Sequence, residues 1–201
     1  MNNIKAVIFD LGGVLLNLDL SQAITNMQAL GVDKTMMSNN IIDPYQTGDI
    51  SSDNFVSHIM SFCKSGTDRQ QIIDAWNSCL LDIPEYKLQY ILQLRERGFK
   101  TYLLSNTNHI HWQHIVRTNF PRPVTDYFDA LYLSQEMHLA KPDKAIYAEV
   151  LSSIGLRAEE CLFLDDTAEN IQVAASMGIK TYLSPVRFDW RKDISTLVCL
   201  V

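Results

Sequence analysis

A chain of 201 residues, 47% hydrophobic and 20% charged, is long enough for one domain with a modest insertion and apolar enough to bury a core. Its formal net charge of −6 argues against nucleic acid or an anionic membrane surface as partner. Cys63, Cys79, Cys161 and Cys199 show neither CxxC spacing nor a zinc-type histidine pair, so structural thiols are expected. The apolar run after Met1 is too short for a signal-peptide core or a membrane span, and a reduced, cytoplasmic protein is the expectation.

In chain order, the first element is a strand at Ala6-Val7-Ile8-Phe9, apolar throughout, as a strand covered on both faces should be. Residues 18–84 then show no strand pattern. They carry helical segments at 20–30, 34–39, 52–63 and 68–80, with Tyr45-Gln46-Thr47-Gly48-Asp49-Ile50 as an interrupting loop. A helix over 86–97 follows, with Leu88, Ile91, Leu92 and Leu94 on one face and Gly98 as its stop. Four more apolar runs read as strands: Thr101–Leu104, Ala130–Leu133, Cys161–Leu164 and Ile179–Leu183. Helices over 144–154 and 168–177 separate the later ones and end at Gly155 and Gly178. Strands alternating with helices predict an α/β parallel sheet. The helical stretch inserted after the first strand is expected to lie over the strand ends as a cap.

Ligands bind at the carboxyl ends of strands in open α/β sheets, so the residues just past each strand carry the functional signal. Asp10 follows the first strand and Ser105-Asn106 the second. Lys141-Pro142 follows the third after a short loop, and Asp165-Asp166 follows the fourth. Any one of these reads equally well as a turn or helix cap. Together they assemble acids, a hydroxyl, an amide and an ammonium, which suits a phosphate and a hard metal ion. Adjacent carboxylates repel unless a cation neutralises them, and oxygen ligands suit Mg²⁺. Ser105 with backbone N–H groups at a helix start makes a phosphate cradle, and Lys141 can screen phosphate oxygens. Asn170, on the first turn after Asp166, can orient the metal surroundings.

The segments Phe9-Asp10-Leu11-Gly12-Gly13-Val14, Leu104-Ser105-Asn106-Thr107-Asn108, Lys141-Pro142-Asp143 and Phe163-Leu164-Asp165-Asp166-Thr167-Ala168-Glu169-Asn170 occur in this order. They resemble the four motifs of the haloacid dehalogenase superfamily over about residues 5–185. Within it the chain is similar to bacterial α-D-glucose-1-phosphate phosphatases and to the N-terminal phosphatase domain of soluble epoxide hydrolases. The resemblance implies a Rossmann-like core of residues 1–17 and 85–201 and a helical cap of residues 18–84. It implies a Mg²⁺-dependent phosphatase for small-molecule phosphate monoesters, sugar phosphates among them. Asp10 would be the nucleophile and a metal ligand, Gly12 a carbonyl ligand, Asp166 the second acidic ligand, and Asp165 in or just behind the metal's ligand set. Ser105 and the Asn106 backbone would hold the phosphoryl group and Lys141 would neutralise it.

One position departs from the pattern. Phosphatases of this superfamily commonly carry an aspartate two residues after the nucleophile as general acid and base, and here Gly12 stands there. A positioned proton donor is worth about 10²–10⁴-fold in rate, so leaving groups of low pKa are expected to be handled best. His109 is the nearest candidate for a substrate contact, while His111 and His114 read as residues of an amphipathic helix. Trp76 reads as core, or with Asn77 as a cleft wall. Two alternatives remain open on the residues: a 2-haloacid dehalogenase, which would gain nothing from Asp165-Asp166, and a phosphate-binding or interaction module without turnover.

Overall fold

The computed structural model describes residues 4–33, 35 and 39–199. Its centre is one sheet of five parallel strands: β1 Ala6–Phe9, β2 Lys100–Ser105, β3 Ala130–Leu133, β4 Cys161–Asp165 and β5 Lys180–Leu183, in the order β3-β2-β1-β4-β5. All five expected strands are present, to within two residues at their ends. β1 is central, with Ala6 opposite Lys100 on one side and Cys161 on the other. The chain builds outward from β1 in one direction and then returns to build in the other. The reversal point therefore lies between β1 and β4, where their carboxyl ends carry Asp10 and Asp165.

The strands read as uninterrupted apolar runs because both faces are covered. Val7 and Phe9 pack on one face with helices α5 Glu85–Glu96, α6 His109–Asn119 and α10 Arg191–Leu197. Ala6 and Ile8 pack on the other with α8 Lys144–Ile154 and α9 Ala168–Ser176. The helix α10 has no counterpart in the sequence reading, since its seven residues offer too few apolar positions to show a period.

Between β1 and β2 lie α1 Leu20–Ala29, α2 Asn39–Gln46, α3 Ser52–Met60 and α4 Arg69–Asn77. They bury a cluster of their own around Met27, Val32, Tyr45, Phe55, Ile59 and Trp76. The helix expected over 34–39 lies outside the described residues except for Thr35 and Asn39. The helix actually present, α2, contains Pro44 and runs into the segment read as a loop. Proline and paired asparagines hid it, because both disfavour a helix locally. Ser51 caps α3, and Asp68 forms a capping box with Gln71 on α4.

The two chain crossings between these helices and the sheet domain run antiparallel and bond to each other. Asn17 N–H donates to Asp82 O at 2.9 Å, Leu81 N–H to Asn17 O at 3.0 Å, and Asp19 N–H to Cys79 O at 2.9 Å. A short α7, Ser134–Met137, follows β3 and receives the helical insertion. There Ser134 Oγ donates to Gln46 O at 2.6 Å, and a Cβ on Gly48 would fall 2.1 Å from Gln135 O. Gly48 sits at φ +75°, so the close approach and the backbone conformation both require glycine.

Candidate active site

Asp10 leaves the end of β1, its N–H donating to Leu164 O at 2.9 Å, so the loop after it starts from a fixed sheet position. The loop is tight: Gly13 N–H reaches Leu16 O at 2.9 Å, and Leu16 N–H reaches Leu11 O at 2.7 Å. Gly13 takes φ +75°, and a Cβ there would stand 2.0 Å from Asp166 Oδ2. The second glycine of the motif is thus what lets this loop close onto the Asp166 carboxylate.

Lys141 is the charge centre. Its Nζ lies 2.8 Å from Asp10 Oδ1 and 2.7 Å from Asp165 Oδ2, and donates to Leu104 O at 3.0 Å. All three ammonium protons are therefore used, at a side chain that is almost fully buried. Burial works against that charge, yet the two carboxylates hold the lysine above its ordinary value. For Asp10 burial dominates and raises the carboxyl to about 6; Lys141 pulls it down and Asp165 pushes it up.

The adjacent acids are not equivalent. Asp165 is fully buried and engaged on both oxygens: Asn170 Nδ2 lies 3.0 Å from each, Lys141 occupies Oδ2, and Thr167 N–H donates to Oδ1 at 2.8 Å. Asp166 is half-buried, with Thr167 Oγ1 3.4 Å away, and burial followed by the charge of Asp165 raises its carboxyl. Asp10, Asp165 and Asp166 each bring an oxygen to within 4.8 Å of one another. Three carboxylates facing one lysine leave negative charge uncompensated at Asp166, and hard oxygen donors in this arrangement fit Mg²⁺.

Asn106 holds Lys141 in place. Its Nδ2 donates to Lys141 O at 2.8 Å and its Oδ1 accepts Lys141 N–H at 2.9 Å, a two-bond clamp between the loops after β2 and β3. The sequence pointed to the backbone of Asn106; a side-chain role facing another loop has no local signature. The same holds for Lys87, buried in α5, whose Nζ donates to Val14 O, an oxygen that also accepts Trp190 Nε1–H at 3.1 Å. Those two donors anchor the loop that carries Asp10 and Gly12 from beneath.

A cleft of about 150 Å³ opens beside Asp10, bounded by Leu11 and Gly12 on one side and by Ser105, Asn106 and Thr107 on the other. His111 lines it; His109 does not. The structure places His109 on another side: its ring is exposed, pairs with Gln113 at 2.8 Å, and borders a separate hollow with Tyr45, Gly48 and Gln135. The reason is the cap of α6. Asn108 Oδ1 accepts His111 N–H at 3.0 Å, which turns residue 109 outward and brings the His111 ring onto Trp76, 4.8 Å between centroids. Both His111 nitrogens are engaged, by Asn108 Nδ2 at 3.1 Å and Trp76 O at 3.1 Å, and burial lowers the ring to about 4. Among the described residues neither His111 nor His114 belongs to a metal-binding group. Of the loop after α2, Gly48 and Ile50 border the separate hollow; Gln46, at the end of α2, reaches the cleft.

The family model for haloacid dehalogenase-like hydrolases matches residues 4–178. This chain belongs to that family. D-ribitol-5-phosphate phosphatase of Bacteroides thetaiotaomicron is 29% identical over 205 residues, covering 97% of this chain and 98% of the relative. A crystal structure of the HAD family enzyme bt-2542 from the same species, in complex with magnesium and inorganic phosphate, superposes with a TM-score of 0.89 at 39% identity, covering 93% of this chain and 97% of that one. Bifunctional epoxide hydrolase 2 of Sus scrofa is 24% identical over 208 residues, which span 90% of this chain and 36% of that protein. Within the family this hydrolase is a phosphoric monoester hydrolase. Among the described residues no helix is long and apolar enough to cross a membrane.

Proposed function

We propose that this hydrolase is a Mg²⁺-dependent phosphatase of small phosphate monoesters that works through an aspartyl-phosphate on Asp10. Residues 18–84 form the cap and residues 1–17 and 85–201 the catalytic core. The observation that carries the reading is the Asp10–Lys141–Asp165 chain of contacts, 2.8 and 2.7 Å long, at the point where strand order reverses, with Asp166 beside it. The four cysteines are free, which fits a reducing, cytoplasmic setting.

Asp10, the Gly12 carbonyl and Asp166 would hold the ion, which supplies positive charge against the phosphate dianion. Lys141 adds a second cation at the same place, and without such charge a carboxylate cannot approach a dianion. Ser105 Oγ and the Asn106 N–H hold the phosphoryl oxygens. A carboxylate oxygen of Asp10 forms the new O–P bond while the bond from phosphorus to the leaving oxygen breaks. Gly12 offers no proton, so that oxygen takes one from water. A water molecule then attacks phosphorus, inorganic phosphate departs, and the Asp10 carboxylate is restored. Asp165 keeps Lys141 aimed throughout. A dehalogenase gains nothing from Asp166, and neither the cleft nor the cavity beyond it is lined by an arginine among the described residues.

The test is phosphate release from p-nitrophenyl phosphate and a panel of sugar and polyol phosphates, D-ribitol 5-phosphate included, with Mg²⁺ and with EDTA. Release that needs the metal and falls on the order of 10⁴-fold or more in Asp10→Asn supports the reading. Folded protein that releases nothing from any ester overturns it. The lack of an acid at Gly12 predicts a chemical step that slows steeply as leaving-group pKa rises, and a flat dependence would contradict that part.

A further inference from the structure

Resting on the phosphatase reading, we infer that the cap holds a hydrocarbon-binding subsite for the alcohol part of the substrate, so that the preferred esters are phosphate monoesters of apolar alcohols. A second cavity, about 330 Å³, lies directly beyond the cleft at Asp10. The two share Leu20, Gln46, Cys79 and His111 in their walls, so the second cavity adjoins the phosphate end on its cap side. The outer cavity is walled by Leu20, Ala23, Ile24, Ile42, Trp76 and Cys79, drawn from α1, α2, α4 and the turn after it.

The polar inventory of that wall is short. Gln46 and His111 supply it, and the His111 nitrogens are already bonded to Asn108 and Trp76, leaving ring surface to the cavity. No lysine or arginine lines either space among the described residues, so a second phosphate or a carboxylate finds no counter-charge. A polyol placed there would lose water from several hydroxyls and find few partners, which is unfavourable for each one. A hydrocarbon gives up no hydrogen bonds on entering and removes its own apolar surface from water. If each heavy atom takes about the 30 Å³ of a water molecule, the outer space holds roughly ten.

Length can be separated from leaving-group chemistry with 4-alkylphenyl phosphates, since alkyl groups at that position barely change the phenol pKa. Phenyl, 4-ethyl-, 4-butyl- and 4-hexylphenyl phosphate are compared with D-ribitol 5-phosphate on the Mg²⁺-loaded protein. The expected result is a kcat/KM that rises about 3–4-fold per methylene until the cavity is full, and a hexyl ester preferred over the polyol phosphate. Ile24→Trp, which fills the space, and Ile42→Asn, which makes its wall polar, should each lower the hexyl-to-phenyl ratio by 10-fold or more. A flat or falling series with D-ribitol 5-phosphate the best substrate overturns the subsite and leaves the phosphatase standing. No release from any ester overturns the phosphatase reading instead. Should either variant misfold, 4-hexylbenzylphosphonate, which cannot be hydrolysed, is titrated against the wild-type protein beside benzylphosphonate. Tighter binding of the hexyl compound with a more negative heat-capacity change supports the subsite, and equal binding overturns it.

Discussion

The two parts of the molecule that meet at the cleft are built on opposite principles. Behind the sheet-side wall lies a charged, closed set: Asp10, Lys141, Asp165, Asn106 and Asn170 form one network in which each buried polar group has a partner. Behind the cap-side wall lies an aromatic, apolar one, a row of rings that reaches the cleft at His111: Tyr45 stacks on Phe55 at 4.2 Å, Phe55 meets Trp76 at 4.9 Å, and Trp76 stacks on His111 at 4.8 Å. A network of buried charges tolerates one geometry, because any lost partner leaves a charge unpaired in a low dielectric. Apolar walls tolerate many fillings of the same volume. The first wall is therefore suited to fixed chemistry and the second to choice of substrate.

Lys141→Met should break the charged wall most severely. It leaves Asp10 and Asp165 facing each other without a cation and, on the proposed mechanism, removes the neutraliser of the phosphoryl group, so phosphate release should fall on the order of 10³-fold or more. Steady-state kinetics on protein shown to be folded by circular dichroism checks this; activity within ten-fold of wild type would mean that Lys141 is structural only.

Next in size is Gly48→Ala, which attacks the seam between the two walls. The added Cβ meets Gln135 O at 2.1 Å and forces φ +75° on a residue with a side chain, at an expected stability cost of about 3 kcal/mol. For a chain of this length that is roughly 6–12 °C in Tm, measured by thermal unfolding. An unchanged Tm would show that the cap docks on α7 more loosely than the contact implies.

The aromatic wall has its own pH signature. The buried His111 ring is lowered to about 4 from an ordinary 6.5, so the unfolded chain takes up the proton first as pH falls. Its contribution to stability is complete above about pH 6.5 and is lost progressively as pH falls toward about 4, by about 2 kcal/mol after allowing for its partly exposed edge. Asp10, raised to about 6, works in the opposite sense over part of that window, so the difference between wild type and His111→Gln is the quantity to follow in denaturant titrations at several pH values. A difference that does not shrink between pH 7 and pH 4.5 would place His111 in a wetter site than its contacts indicate.

The smallest effect expected is that of Asn106→Ala. Losing the two-bond clamp on the Lys141 backbone should lower stability by about 1–2 kcal/mol and, on the proposed mechanism, kcat by about ten-fold, with KM changed less, since the clamp aims the Lys141 ammonium and touches no leaving group. A change confined to KM would instead assign the Asn106 side chain to substrate binding.

Much of the sheet and of the charged wall is legible in the sequence because it is local. Each of Asp10, Ser105 and Asp165 ends or directly follows a buried strand, and a parallel sheet brings all such positions to one edge whatever the loops do. Two adjacent acids after β4 announce a cation for the same reason: their mutual repulsion is written in the spacing alone. What the chain order cannot reveal is the division of labour between them. Asp165 turned inward to Lys141, Thr167 and Asn170, and Asp166 turned out beside Gly13, are consequences of which loops pack against which. The buried Lys87 under the loop after β1, the placement of His111 rather than His109 at the cleft, and the apolar space walled by α1, α2 and α4 depend likewise on contacts between segments far apart in sequence. Strand ends are set by backbone pattern and survive any packing; the facing of a side chain in a loop or cap is set by its neighbours in space, and only the tertiary structure supplies those.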